Sequence, residues 1–232
     1  MEENFTSCIK RVGGQYCCSY CNGKLIKHGK SKAHKTRFCC KVCKKTQVEN
    51  YTHKAYATCL NKNIVSLTKE GMGIRSTARY LGISTNTLLK RLIHIAQNLK
   101  QPAIVKGKIF QIDELKTYIK HKNNHFWVAY ALEQESKTVV SFCVGKRTNK
   151  TLKQVIKTVE LSEPLKITTD KLLNYKYLIS KKIHSTKHRG INHIERKNLS
   201  LRTHIKRLNR KTICFSRSLY MLSAILTIYF WG

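Results

Sequence analysis

The chain has 232 residues, with 45 Lys and Arg against 12 Asp and Glu, for a formal net charge of +33. Its 41% hydrophobic content supports a packed core and argues against a disordered basic tail, while basic residues spread through every segment fit a polyanion, nucleic acid first. The opening MEENFTSCIKR has no signal-peptide core, and the apolar SLYMLSAILTIYFWG falls short of the roughly 20 residues of a bilayer span, so a reducing cytoplasm and no membrane partner are expected.

The first segment, 1–53, reads as a zinc ribbon. Cys18-Ser-Tyr-Cys21 and Cys40-Lys-Val-Cys43 are two C-x-x-C knuckles separated by 18 residues. That spacing suits four thiolates around one tetrahedral Zn²⁺, with KLIKHGKSKAHKTRF as a small β-ribbon between them. Cys17 and Cys39 each neighbour a proposed ligand, and His28 or His34 could substitute. With four protein ligands the zinc would be structural. Cys8, Cys59, Cys143 and Cys214 read as free, mostly buried thiols.

Residues 54–100 turn helical. Ile74, Ala78 and Leu81 recur at helical spacing, Gly82 breaks the pattern, and Ser84 is a good N-cap for a second helix. Leu88, Leu92 and Ile95 give that helix a buried face. This is a helix-turn-helix pattern whose second helix carries Thr85, Asn86, Thr87, Lys90 and Arg91 outward, as in proteins that read the major groove. Residues 97–107, with Pro102, read as a linker.

The last segment, 107–232, opens with β-like runs at 108–113, 126–132 and 138–144. A helix at 149–160 buries Leu152, Val155, Ile156 and Val159. The KITTD strand, a short helix in KLLNYKYLI, a strand near 181–184 and a helix bearing Glu195 follow. The order β-β-β-α-β-α-β-α is the ribonuclease-H-like arrangement, giving a multidomain α+β chain whose last domain is α/β with a mixed sheet. The only two aspartates, Asp113 and Asp170, each end a β-like run. If the first and fourth strands lie side by side, these two acids meet and Glu195 leans over them. Three convergent carboxylates suit hard divalent cations and phosphodiester chemistry. The terminal SLYMLSAILTIYFWG reads as a packed helix.

These motifs resemble the InsAB-type transposases of the IS1 family, a branch of the DDE group. The resemblance runs from the ribbon ending CKVCKKTQ through GIRSTARYLGISTNTLLKRL, the IDE around Asp113, GKRTNKTL and the TTD ending at Asp170. It finishes with HIERKNLSLRTHIKRLNRKTICFSRS around Glu195. It implies that Asp113, Asp170 and Glu195 are catalytic acids holding two Mg²⁺ or Mn²⁺. It further implies cleavage of the phosphodiester at the element ends and transfer of the freed 3′-OH to target DNA. Terminal inverted repeats and target duplex would be the partners, with at least a dimer on paired ends in a prokaryotic, nucleoid-associated setting. Arg196 and Arg202 would contact DNA phosphate near the acids. Lys171-Leu172-Leu173 stand where the family pattern has a Trp shortly after the second Asp. A non-catalytic DNA-binding regulator, a decayed transposase or a nuclease or resolvase on the same fold are the competing readings.

Overall fold

The computed structural model describes residues 9–49, 53–186 and 191–232. Two small antiparallel sheets come first. One is the hairpin of β1 (Ile9–Val12) and β2 (Gln15–Cys18); the other joins β3 (Leu25–Lys30), β4 (Thr36–Cys40) and β5 (Thr46–Val48). Leu25 lies opposite Cys40, so the two knuckle turns are brought to one end of the ribbon. Ile9, Leu25 and Phe38 close a small apolar cluster over the buried Cys18 and Cys40.

Three helices follow: α1 (Leu60–Lys69), α2 (Ile74–Leu81) and α3 (Thr85–Asn98). Helix α2 stops because Gly82 adopts φ +62° and its amide, with that of Ile83, takes up the last free carbonyls of the helix. Ser84 then starts α3 by accepting from the Thr87 amide at 3.1 Å. Ala78, Leu88, Leu92 and Ile95 are buried as their spacing suggests.

A five-stranded mixed sheet forms the rest, built from β6 (Ile109–Tyr118), β7 (His125–Glu133), β8 (Val139–Gly145), β9 (Lys166–Thr169) and β10 (His184–Ser185). Its order is β10-β9-β6-β7-β8, with β6–β7 and β7–β8 antiparallel and β6–β9 and β9–β10 parallel. The first and fourth strands of this sheet are therefore neighbours. Phe110 and Ile112 of β6 face a core shared with α4 (Asn149–Glu160) and α5 (Leu173–Leu178). Leu115 faces the opposite core, shared with α6 (Asn192–His204) and α7 (Leu219–Trp231). The sheet is thus sandwiched between helices.

Two boundaries differ from the sequence expectation. Strand β6 continues five residues beyond Asp113 because β7 pairs with it through Tyr118 opposite His125. Asp113 consequently sits inside a strand, at the point where the β9 pairing stops. The last strand is only His184–Ser185, displaced from 181–184. Of the free thiols, Cys59 and Cys214 are exposed and Cys143 is half-buried, so the expectation of burial fails for them; Cys8 lies outside the described residues.

Helix α7 belongs to two cores at once. Leu222 and Leu226 pack under the sheet, whereas Ile228 joins the cluster of Leu60, Ile64, Leu88 and Leu92. Gln97 Nε2 donates to Tyr220 Oη at 2.9 Å and Trp231 Nε1 to the Val139 carbonyl at 2.7 Å, tying the same helix to both sides. The α1–α2 turn adds a close approach: a Cβ on Gly71, whose φ is +72°, would stand 2.0 Å from the His204 carbonyl oxygen. No helix of the described residues is long and apolar enough to cross a membrane. Ile228 is fully buried, so Ile228→Ala should cost about 2–5 kcal/mol. Urea unfolding should show a lowered midpoint, with signals from α1–α3 and from the sheet moving together.

Candidate active site

The site forms where β9 ends. Pairing with β6 stops at Ile112 opposite Thr169, so the next residues, Asp113 and Asp170, stand side by side with no further ladder between them. Asp170 is turned by an Asx contact, its Oδ1 accepting from the Leu172 amide at 3.0 Å. Asp113 Oδ1 accepts from the Glu114 amide at 2.8 Å and its Oδ2 from Asn198 Nδ2 at 2.7 Å. Side-chain oxygens of Asp113, Glu114 and Asp170 can all lie within 4.8 Å of one another. Oxygens on a single Mg²⁺ stand roughly 3–4 Å apart, so this all-oxygen donor set fits a hard divalent cation.

Burial raises the Asp113 carboxyl above the ordinary carboxylate range; the Glu114 amide opposes the rise, and the nearby Asp170 charge adds to it. Glu114 is likewise raised, by burial first, with Arg147 pulling down and Asp170 and Asp113 pushing up. These are the directions expected when carboxylates crowd a partly dry site with only partial counter-charge.

Helix α6 is clamped onto this strand. Buried Gln111 accepts from the Ile194 amide at 2.8 Å, satisfying a free N–H in the first turn of α6. The Tyr130 hydroxyl, opposite Asp113 in the sheet, donates toward Asn198 Oδ1 at 2.7 Å, while Asn198 reaches Asp113. Glu195 is carried between these two clamps. It is exposed and stands outside the three-acid cluster, yet its charge is felt at Asp113. Arg202, half-buried, lies two turns along α6 near Asp113 and Tyr130, with its Nε lacking a hydrogen-bond partner. Arg196 is exposed.

Sequence reasoning found the two aspartates and missed Glu114, although it is the last letter of the IDE run. Neighbours on a strand point to opposite faces, which normally separates them. Tyr130 and Arg147 gave no signal of their own, because their part depends on cross-strand and helix–strand contacts; Asn198 shares a helical line with Glu195 and Arg202 by spacing, but its bond to Asp113 is not visible there.

On α3, Thr85, Asn86 and Lys90 are exposed and Thr87 is half-buried in the cap. Arg91 turns back instead, Nη2 donating to the Ala55 carbonyl at 3.0 Å. In the ribbon the four expected sulfurs converge: Cys18 Sγ to Cys43 Sγ is 3.6 Å, Cys21 Sγ to Cys40 Sγ is 3.4 Å, and all four fit within 4.8 Å. Sulfurs around tetrahedral zinc stand roughly 3.8 Å apart. Gln47 Nε2 donates to Cys18 Sγ at 2.9 Å and the Tyr20 amide at 3.4 Å. Burial alone would raise the Cys18 thiol, but amides of Tyr20 and Cys21 and the neighbouring thiols outweigh it and hold it down at about 6. Cys17, Cys39, His28 and His34 fall outside the cluster.

A family model described as the IS1 transposase domain matches residues 108–230. Protein InsB of insertion element iso-IS1n from Shigella dysenteriae is 36% identical over 110 residues, covering 47% of this chain and 84% of the relative. InsB of IS1 from Shigella flexneri is 32% identical over 119 residues, 51% of this chain and 91% of the relative. Solved structures align more loosely. A simian T-cell lymphotropic virus intasome in complex with PP2A regulatory subunit B56 gamma gives a TM-score of 0.40 at 17% identity, covering 71% of this chain and 67% of that one. The HTLV-2 integrase catalytic core with magnesium gives 0.35 at 17% identity, covering 54% and 87%.

The raised acids set a pH dependence. Unfolded carboxyls titrate near pH 4, and the folded, cation-free protein holds the Asp113 and Glu114 protons more tightly. Their contribution to stability is therefore full below about pH 4 and lost as pH rises through the raised values. In a chelator, Asp113→Asn should melt progressively higher than wild type as pH goes from 4 to 7, with little difference at the acid end. A constant difference across that range in thermal melts would refute this.

Proposed function

The chain belongs to the IS1 transposase family, and from that premise we propose that it cleaves the phosphodiester at the ends of an insertion sequence and joins the freed 3′-OH to target DNA. The observation that carries this reading is the side-by-side placement of Asp113 and Asp170 beside the clamped helix that bears Glu195.

Asp113, Asp170 and Glu195 would hold two Mg²⁺ or Mn²⁺. Such a pair, when bound, polarises the scissile phosphate and stabilises both the attacking and the leaving oxygen of an in-line displacement. The protein's own residues do the positioning. Asn198 and the Glu114 amide fix the two oxygens of Asp113, and the Leu172 amide fixes Asp170. Gln111 and Tyr130 set the height of α6 and therefore of Glu195. Arg202 and Arg196 flank the acids with positive charge that suits a phosphate backbone.

The front of the chain serves recognition in this reading. Thr85, Asn86 and Lys90 at the start of α3 would enter the major groove of the terminal inverted repeats, with Thr87 holding the cap. Arg91 positions the preceding segment through Ala55 before it meets DNA. One structural Zn²⁺ held by Cys18, Cys21, Cys40 and Cys43 would close the ribbon, whose own apolar cluster is small. Two element ends call for at least two chains on the DNA. Affinity for DNA should fall steeply with salt in a chain of charge +33.

Two measurements test the assignment. Purified protein should carry about one zinc per chain by elemental analysis, and Cys40→Ser should lose it together with the folded ribbon. A labelled duplex bearing an element end should be nicked at the boundary with Mg²⁺ and left intact with EDTA or by Asp170→Asn, whose binding survives. Binding without cleavage by the wild type, with both ends and Mn²⁺ supplied, would identify a DNA-binding regulator instead.

A further inference from the structure

Glu114 is the buried acid that the catalytic reading leaves unused. Its side chain is 1% exposed, and its carboxylate makes no short hydrogen bond, only the weaker approach of the Tyr175 hydroxyl. Its one ion pair is with Arg147, Nη2 to Oε2 at 3.5 Å, and that arginine is itself 42% exposed. Tyr175, fully buried on the same side, has that carboxylate as the neighbour of its hydroxyl and makes no short hydrogen bond elsewhere. A carboxylate taken out of water needs partners at both oxygens, and a single long contact to a half-solvated guanidinium is a poor substitute. An acid that existed to anchor Arg147 would be expected in a short, two-pronged contact.

The direction of the side chain makes the arrangement more specific. By strand alternation Glu114 shares the Phe110 and Ile112 face, toward α4 and α5, while Asp113 shares the Leu115 face, toward α6. Carboxylates on opposite faces of a sheet ordinarily stay apart. Here the β9 ladder ends at Thr169, so β6 has an open flank beyond Ile112, and side chains from both faces can lean into the gap that Asp170 occupies. The result is three carboxylates whose ligand atoms can fall within 4.8 Å, one of them buried and only loosely paired, through Arg147 and Tyr175.

We propose that Glu114 is a third protein ligand for a divalent cation, reaching Asp113 and Asp170 from the α4–α5 side of the sheet, so that this cation is held without Glu195. The inference rests on the reading of the acid cluster as a cation site. It assigns Glu195, exposed on α6, to a separate part of the metal chemistry. Arg147 and Tyr175 then act as positioning residues, keeping the Glu114 carboxylate pointed at the gap.

The test is Mn²⁺ binding to the full chain without DNA, followed by electron paramagnetic resonance, with thermal melts in parallel. Glu114→Gln should weaken Mn²⁺ binding by roughly tenfold or more, and Glu195→Gln by much less. In chelator Glu114→Gln should melt no lower than wild type, since a buried charge is removed, but it should lose most of the Mn²⁺-induced rise. Glu114→Asp, which keeps the charge but withdraws the oxygens, should bind with intermediate affinity and serves if the glutamine variant folds poorly. Wild-type affinity retained in both Glu114 variants would overturn the proposal, as would a lowered chelator melt with the Mn²⁺-induced rise intact. Wild type that binds no Mn²⁺ would overturn the cation-site reading itself, whereas normal wild-type binding with unaffected Glu114 variants would overturn only the role of Glu114.

Discussion

The parallel pairing of β6 with β9, and its end at Thr169, is the constraint on which the rest of the site depends. It forces the only two aspartates of a strongly basic chain into adjacent positions at the edge of a dry core. Burial and the neighbouring Asp170 charge raise the Asp113 carboxyl, and the fold answers at both aspartates with oriented dipoles. The Glu114 and Leu172 amides and the Asn198 side chain all point donors at them. That compensation is partial, since Asp113 still holds its proton too tightly. Arg147 and Arg202 stand near the acids without fully offsetting their crowding, and the all-oxygen donor set suits a small hard cation.

The two faces of β6 divide the labour. On one, Gln111, Asp113 and Tyr130 opposite them grip α6 at Ile194 and Asn198, a span of about one helical turn. Two grips on one turn fix both the rotation and the height of a helix, so Glu195 is placed by the helix backbone. On the other face Glu114 lies against Tyr175 and Arg147, which bind it to the α4–α5 layer. One strand therefore transmits the packing of both helical layers to the same few oxygens.

Much of this was legible in the sequence. Asp113 and Asp170 stood out because acids are scarce in this chain, and the four cysteines because C-x-x-C spacing dictates knuckles. The α2–α3 turn was legible because Gly82 and Ser84 have local backbone requirements that no tertiary contact needs to supply. What could not be read depended on partners distant in sequence. The extension of β6 past Asp113 passes through Glu114 and Lys116, whose charges hide a strand that β7 alone stabilises. Arg91 looked like a DNA contact on a helical wheel, but the Ala55 carbonyl, provided by a separate turn, claims it. The apolar run at 219–231 was legible as a packed helix; that it closes two cores was not.

That double role of α7 bears on how the protein is made. Helices α1 to α3 are synthesised early, yet the residue that seals their core, Ile228, emerges far later, and the Gln97–Tyr220 bond spans 123 positions of sequence. Until translation has passed through the acidic site and beyond, the cluster of Leu60, Ile64, Leu88 and Leu92 lacks its fully buried α7 member. The core under α3 is thus completed only by a chain that already carries the acidic cluster. A product terminated before α7 would leave α1 to α3 without that cover and prone to proteolysis.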